Sequence, residues 1–169
     1  ETLKRFNRAN DVTSLVIQNF PRMMASGMKE YELRAEISYL IHTKGCDDAF
    51  TPIVAFGSNT AKIHSEPTDK ILEDESAVLI DFGVKYQGVS TDVTRSFWFG
   101  DDPPQEYLDL YKIVDNGLFT ATRWIRPGAS CAKAGHITKQ YLRKNHNNEA
   151  ECLPHALGHG LGYDLHQFP

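Results

Sequence analysis

Apolar residues recur at three- and four-residue spacings through Leu3, Phe6, Val12, Leu15, Val16, Phe20, Met23 and Met24, which predicts an amphipathic helix over 3–24 that ends before Gly27. A second helical pattern, Tyr31, Leu33, Ile37, Leu40 and Ile41, predicts a helix over 29–44, with Gly45 where a left-handed residue ends it. The period then shortens. Residues 50–56 are apolar and contain Val and Ile, and Asp47-Asp48 and Gly57-Ser58-Asn59 bound them, which predicts a strand. Strands are also predicted over 77–84 (AVLIDFGV) and 89–99 (VSTDVTRSFWF), flanking a hairpin connection at Lys85-Tyr86-Gln87-Gly88. Asp101-Asp102-Pro103-Pro104 breaks the sheet. Helices resume over 105–124, stop at Pro127-Gly128, and restart after Ser130 as N-cap to run to 144. Residues 157–165 hold Gly158, Gly160 and Gly162, too much glycine for a helix, and are expected to be extended. The element pattern is that of an α+β fold.

At 169 residues the chain makes one domain, 1–169, and its 41% hydrophobic and 24% charged residues place it among soluble globular proteins. The 18 basic against 22 acidic residues give a formal charge of −4, the wrong sign for neutralising nucleic-acid phosphates. No apolar run approaches the roughly 18 residues that span a bilayer, and the opening ETLKRFNRAN lacks the layout of a signal peptide. Neither a nucleic-acid nor a membrane partner is expected, and the expected location is cytoplasmic. Cys46, Cys131 and Cys152 share no CxxC spacing, so they are expected to be reduced thiols.

Asp81 interrupts an apolar run, and a carboxylate there requires a cation, a metal or several hydrogen bonds. If the hairpin is symmetric about the Tyr86–Gln87 bond, Asp81 stands directly opposite Asp92, with Cα atoms about 4.5 to 5.5 Å apart. A bulge at Gly88 would shift the register by one and send one Asp to the other face. Like charges so placed repel, and divalent cations between them, or a shared proton, relieve the repulsion. The plainer reading makes Asp81 a turn cap and pairs Asp92 with Arg95 or Lys85. The second cluster is HALGHGLGYDLH, which concentrates His155, His159 and His166 in a chain of 7 His. His155 and His159 share a face whether the backbone is helical or extended. Glycine on both sides of His159 lets backbone approach a strand, a substrate or a metal closely. His64, in FGSNTAKIHSEPT, is expected on an exposed loop leading toward the Asp81 strand.

These segments, IVAFGSNTAKIH, VLIDFGVKYQGVSTDVTRSF and HALGHGLGYDLHQFP, resemble the pita-bread metallopeptidase family of methionine aminopeptidase, aminopeptidase P and prolidase, and the resemblance runs from end to end. It implies a pita-bread (creatinase/aminopeptidase-like) fold, a curved antiparallel sheet with helices on its outer face. It also implies metal ligands at Asp81, at Asp92 eleven residues later, and at His159. Two imidazoles that meet the substrate fall on His64 and His166. The TDVTRSF form with Arg95, and His155 four residues before His159, are closer to the Xaa-Pro branch, and His155 joins His64 and His166 as a catalytic candidate.

The resemblance implies hydrolysis of Xaa-Pro bonds in proline-containing peptides, with two divalent ions activating a water and polarising the scissile carbonyl. Oxygen-rich ligands favour Mn²⁺, with Co²⁺, Zn²⁺ or Fe²⁺ as substitutes. Asp81 is expected to face one ion and Asp92 to bridge both. The alternatives are a methionine aminopeptidase, a metal-free creatinase-like relative, or a pseudoenzyme that binds peptide or protein. Relatives complete the site with two glutamates after the histidine segment, and this sequence reaches Pro169 before either. Gln167 also stands where many relatives have an acidic residue. Relatives commonly carry a domain ahead of the first helix as well. The chain is therefore expected to be a fragment, inactive by itself, whose open sheet edge and apolar surface lead to a homodimer, an exchanged segment or low stability.

Overall fold

The computed structural model describes residues 1–146 and 153–168, so Cys152 lies outside the described residues. The described residues form two compact units, one of residues 1–102 with 160–167 and the other of residues 103–146 with 153–159 and 168.

In the first unit, α1 (Thr2–Met23) buries Val12, Val16 and Phe20 of the expected apolar positions together with Ala9 and Thr13, while Leu3 is exposed. Helix α2 (Glu30–Thr43) buries Leu33, Ile37 and Ile41 at four-residue intervals, and its Lys29 N–H is capped by the Glu32 carboxylate at 2.7 Å. The strands form two three-stranded antiparallel sheets. One is ordered β2 (Ile53–Phe56), β3 (Ser76–Phe82), β6 (Val93–Phe99), and the other β1 (Asp47–Asp48), β4 (Val84–Tyr86), β5 (Val89–Ser90). Thus each of the two long predicted strands is split, β3 from β4 at Gly83 and β5 from β6 at Thr91-Asp92.

Gly83 is the reason for the first break. A Cβ built there would meet the Thr91 carbonyl oxygen at 2.2 Å and the Phe50 ring at 2.8 Å, so the backbone passes where only glycine fits. The hairpin turn also sits one residue beyond the expected centre. Tyr86 pairs with Val89, and the turn residues Gln87 and Gly88 both have positive φ, 47° and 87°, the requirement of a two-residue type I′ turn.

Along β3, Val78, Ile80 and Phe82 are buried and alternate with half-buried Ala77, Leu79 and Asp81. The buried set joins the α1 and α2 stripes, Val54, Phe56 and Leu72 in one core. At its centre the Phe20 ring meets Phe82 and Phe97 edge-on, at 5.6 and 5.5 Å between centroids. Residues 160–167 close on this unit without forming a helix, as their glycines require. Gly160 and Gln167 exchange N–H···O bonds of 2.7 and 3.0 Å, and Ser90 N–H donates to the Gly162 carbonyl at 2.9 Å.

The second unit holds α3 (Gln105–Thr122) and α4 (Cys131–Asn145), and the Ser130 hydroxyl caps α4 by accepting from Lys133 N–H at 3.3 Å. Gly117 lets the helices approach, since a Cβ there would stand 3.0 Å from Leu142. Leu110, Tyr111, Val114, Leu118 and Phe119 of α3 are exposed. No described helix is long and apolar enough to cross a membrane. Cys46 is a buried free thiol and Cys131 an exposed one.

Candidate metal and substrate site

Asp81 does not stand opposite Asp92. Its cross-strand partner is Thr94, whose hydroxyl donates to the Asp81 carboxylate at 2.9 Å. The expected register is displaced because the turn is centred on Gln87-Gly88. Asp92 therefore lies two residues from the position facing Asp81. A displacement of two preserves strand parity, so it keeps the two aspartates on one face where a shift of one would have separated them. That face is opposite the one packed on α1 and α2, because Asp81 alternates with buried Ile80 and Phe82.

The electrostatics follow from this placement. Burial raises the Asp81 carboxyl above its ordinary range; the Thr94 hydrogen bond opposes that, the Asp92 charge adds to it, and the His64 imidazole opposes it again. Asp81 thus feels both Asp92 and His64. His64 is exposed, with φ of 54°, on the irregular segment after the 3₁₀ turn Gly57–Ala61. A ring nitrogen of His166 and a carboxylate oxygen of Asp92 lie within 4.8 Å of one another, and His166 is exposed beside the Gly160–Gln167 clasp. The first unit therefore gathers two carboxylates and two imidazoles. The set fits a divalent cation: negative charge in excess, a carboxyl raised by burial with a second carboxylate adding to it, and imidazole nitrogen at hand.

The other two histidines belong to the second unit. His159 is exposed and lines an open cleft of about 520 Å³ with Ile125, Ala134, Leu157 and Cys131. His155 is exposed, its Nδ1 2.7 Å from the Ala156 carbonyl oxygen.

The sequence reading passed over three residues: Thr94, which bonds Asp81, Thr91, which precedes Asp92, and the buried Glu30, which bonds the loop that carries His64. Thr94 was legible, since strand alternation puts it on the Asp92 face. Thr91 and Glu30 were not, because their partners are 78 and up to 38 residues away in the chain.

The profile of metallopeptidase family M24 matches residues 4–169. The chain belongs to this family. An uncharacterized peptidase of Methanocaldococcus jannaschii is 31% identical over 100% of this chain and 47% of its own length. Among solved structures, the recombinant prolidase of Thermococcus sibiricus superposes with a TM-score of 0.93 at 30% identity, over 99% of this chain and 46% of that one. The X-Pro aminopeptidase of Thermotoga maritima gives 0.92 at 26% identity, over 99% and 47%. The fold of this M24 chain is accordingly the pita-bread fold, and the chain spans about half the length of the relatives it matches.

Proposed function

We propose that the protein containing this chain hydrolyses Xaa-Pro peptide bonds with two divalent metal ions, Mn²⁺ first among them, held in part by Asp81, Asp92 and His159. The observation that carries this reading is the pair Asp81 and Asp92 on one sheet face, where burial raises the Asp81 carboxyl and the nearby Asp92 charge adds to the rise. A pair so arranged gains from a cation and loses without one. His159 is assigned as the nitrogen ligand by its place in the family motif. The Xaa-Pro specificity rests on Arg95 and His155, and solved relatives with the names prolidase and X-Pro aminopeptidase support it.

When bound, the ions supply Lewis acidity and a water of lowered pKa. The residues of this chain do the rest. The Asp81 and Asp92 carboxylates fix the positions of positive charge, with Thr94 holding one Asp81 oxygen. His166 donates an N–H to the oxygen of the scissile carbonyl as charge builds there, and His64 is the second donor. His155 is the third candidate for a catalytic imidazole.

The test is metal counting. The full-length protein is loaded with Mn²⁺, desalted and analysed for ions per chain, beside an Asp92→Asn control. Two ions in the parent, lost in the control together with hydrolysis of Ala-Pro peptides, are expected. Stoichiometric metal in the Asp92→Asn protein would overturn the ligand assignment. Cleavage of Met-Ala but not Ala-Pro peptides would move the specificity to the methionine branch. Absence of both metal and hydrolysis in the parent would leave a peptide-binding relative.

A further inference from the structure

Glu30 is 0% exposed, yet it carries a carboxylate at the first turn of α2. Taking such a group out of water is costly unless every lone pair is used. Here four donors meet it. Oε1 accepts from Phe56 N–H at 2.8 Å and from the Asn59 amide at 3.0 Å. Oε2 accepts from Thr68 N–H at 2.8 Å and from the Thr68 hydroxyl at 2.7 Å. Burial pushes the carboxyl upward, but these bonds outweigh it and hold the group below its ordinary range, so it is ionised at neutral pH.

The donors fall into two pairs, one on each limb of a single loop. Phe56 and Asn59 enter it and Thr68 leaves it. Residues 62–70 between and beyond them form no helix or strand; on the exit limb two backbone bonds join the start of α2, from Tyr31 N–H to the Thr68 carbonyl at 3.4 Å and from Glu30 N–H to the Lys70 carbonyl at 3.1 Å, and the Glu30 carboxylate is what bonds both limbs at once. His64 stands inside this bracket, five residues after Asn59 and four before Thr68. We propose that Glu30 is a positioning residue, whose buried carboxylate clasps both limbs of the 56–68 loop and so sets where His64 stands over the Asp81 face. The inference rests on the reading of His64 as a substrate-side imidazole. A buried apolar residue would tie α2 to the loop through non-directional contact. A carboxylate with four directed bonds instead fixes both limbs relative to one point, which placement of an imidazole demands.

The experiment is a set of double-mutant cycles on kcat in the full-length, Mn²⁺-loaded enzyme with an Ala-Pro peptide, each variant assayed well below its own melting temperature. His64→Ala is expected to lower kcat about 100-fold. Glu30→Gln keeps the shape but turns an amide toward backbone donors, and is expected to lower kcat about tenfold or more. Thr68→Val removes one donor from an exposed side chain and is expected to give a smaller loss, which serves if Glu30→Gln does not fold. In the His64→Ala background neither substitution should lower kcat further, because both act through the imidazole. Losses of full size in that background would show a merely structural role and overturn the proposal. So would an unchanged kcat for Thr68→Val in the parent. Undiminished kcat in His64→Ala alone would remove the role of His64, and the proposal with it, while the Asp92→Asn metal count would still stand or fall separately.

Discussion

The hydroxyls of Thr13 and Thr91 meet at 2.7 Å in the interior, joining α1 to the residue that precedes Asp92. Thr13 sits on the buried stripe of α1, where its hydroxyl also donates to the Ala9 carbonyl at 2.9 Å. Thr91 Oγ1 in turn accepts from Val84 N–H at 3.0 Å, and Thr91 N–H donates to the Val84 carbonyl at 2.9 Å. Where the strands break on either side of the hairpin, this knot replaces the missing ladder. It ties the backbone at Asp92 to the helix layer.

Thr13→Val removes the hydroxyl at nearly constant volume. The expected cost is about 1 kcal/mol of stability and about a tenfold weaker affinity for Mn²⁺. Thermal melts and a metal titration on the same protein check both numbers. Unaltered metal affinity would mean that Asp92 is held by other contacts.

Asp81→Asn is expected to stabilise the metal-free protein near neutral pH while abolishing metal binding. The folded carboxyl lies above its ordinary value of 3.8, so the folded state binds the proton more readily than the unfolded one. Stability from this group is therefore greatest at low pH, declines as pH rises from 3.8 through the folded value, and stays reduced above it. An amide keeps the Thr94 hydrogen bond without that ionisation. Melts in chelator at about pH 7 should place the variant a few degrees higher, a gain that shrinks on acidification.

Glu30 has the opposite sign. Its folded carboxyl lies below the ordinary 4.5, so its contribution is complete above that value and disappears as pH falls through the lower folded one. Glu30→Gln should lower stability at neutral pH by about 2 to 3 kcal/mol and flatten the acid side of the stability profile. Denaturant titrations across the acid range would show it. A parallel displacement of the whole curve, with the acid slope intact, would contradict the assignment.

Gly83→Ala is expected to cost at least about 2 kcal/mol, because the added Cβ would lie 2.2 Å from the Thr91 carbonyl oxygen and the backbone must move to admit it. The displaced atoms are those next to Asp92, so metal affinity should fall with stability. Phe20→Ala, by contrast, empties the core where three rings meet and should cost about 3 to 5 kcal/mol with little effect on the metal affinity of molecules that remain folded.

The sequence by itself determined the element types, because helix and strand periods are local. Ile37 and Ile41 repeat by four, Ile80 and Phe82 by two, and Ser130 sits at a helix start. It also determined the family, since the Asp81, Asp92 and His159 spacings are linear motifs. Tertiary structure decided the register. Whether the turn holds Tyr86-Gln87 or Gln87-Gly88 depends on positive φ at Gln87, a residue with no strong preference for it, and the strand pairs on both sides enforce it. It likewise decided that strands break at Gly83 and at Thr91, because Phe50, Ala49 and Thr13 arrive from distant parts of the chain. The burial of Glu30 was settled there too. A glutamate in the first turn of an amphipathic helix satisfies local rules in water, and only the folded loop brings it four donors at once.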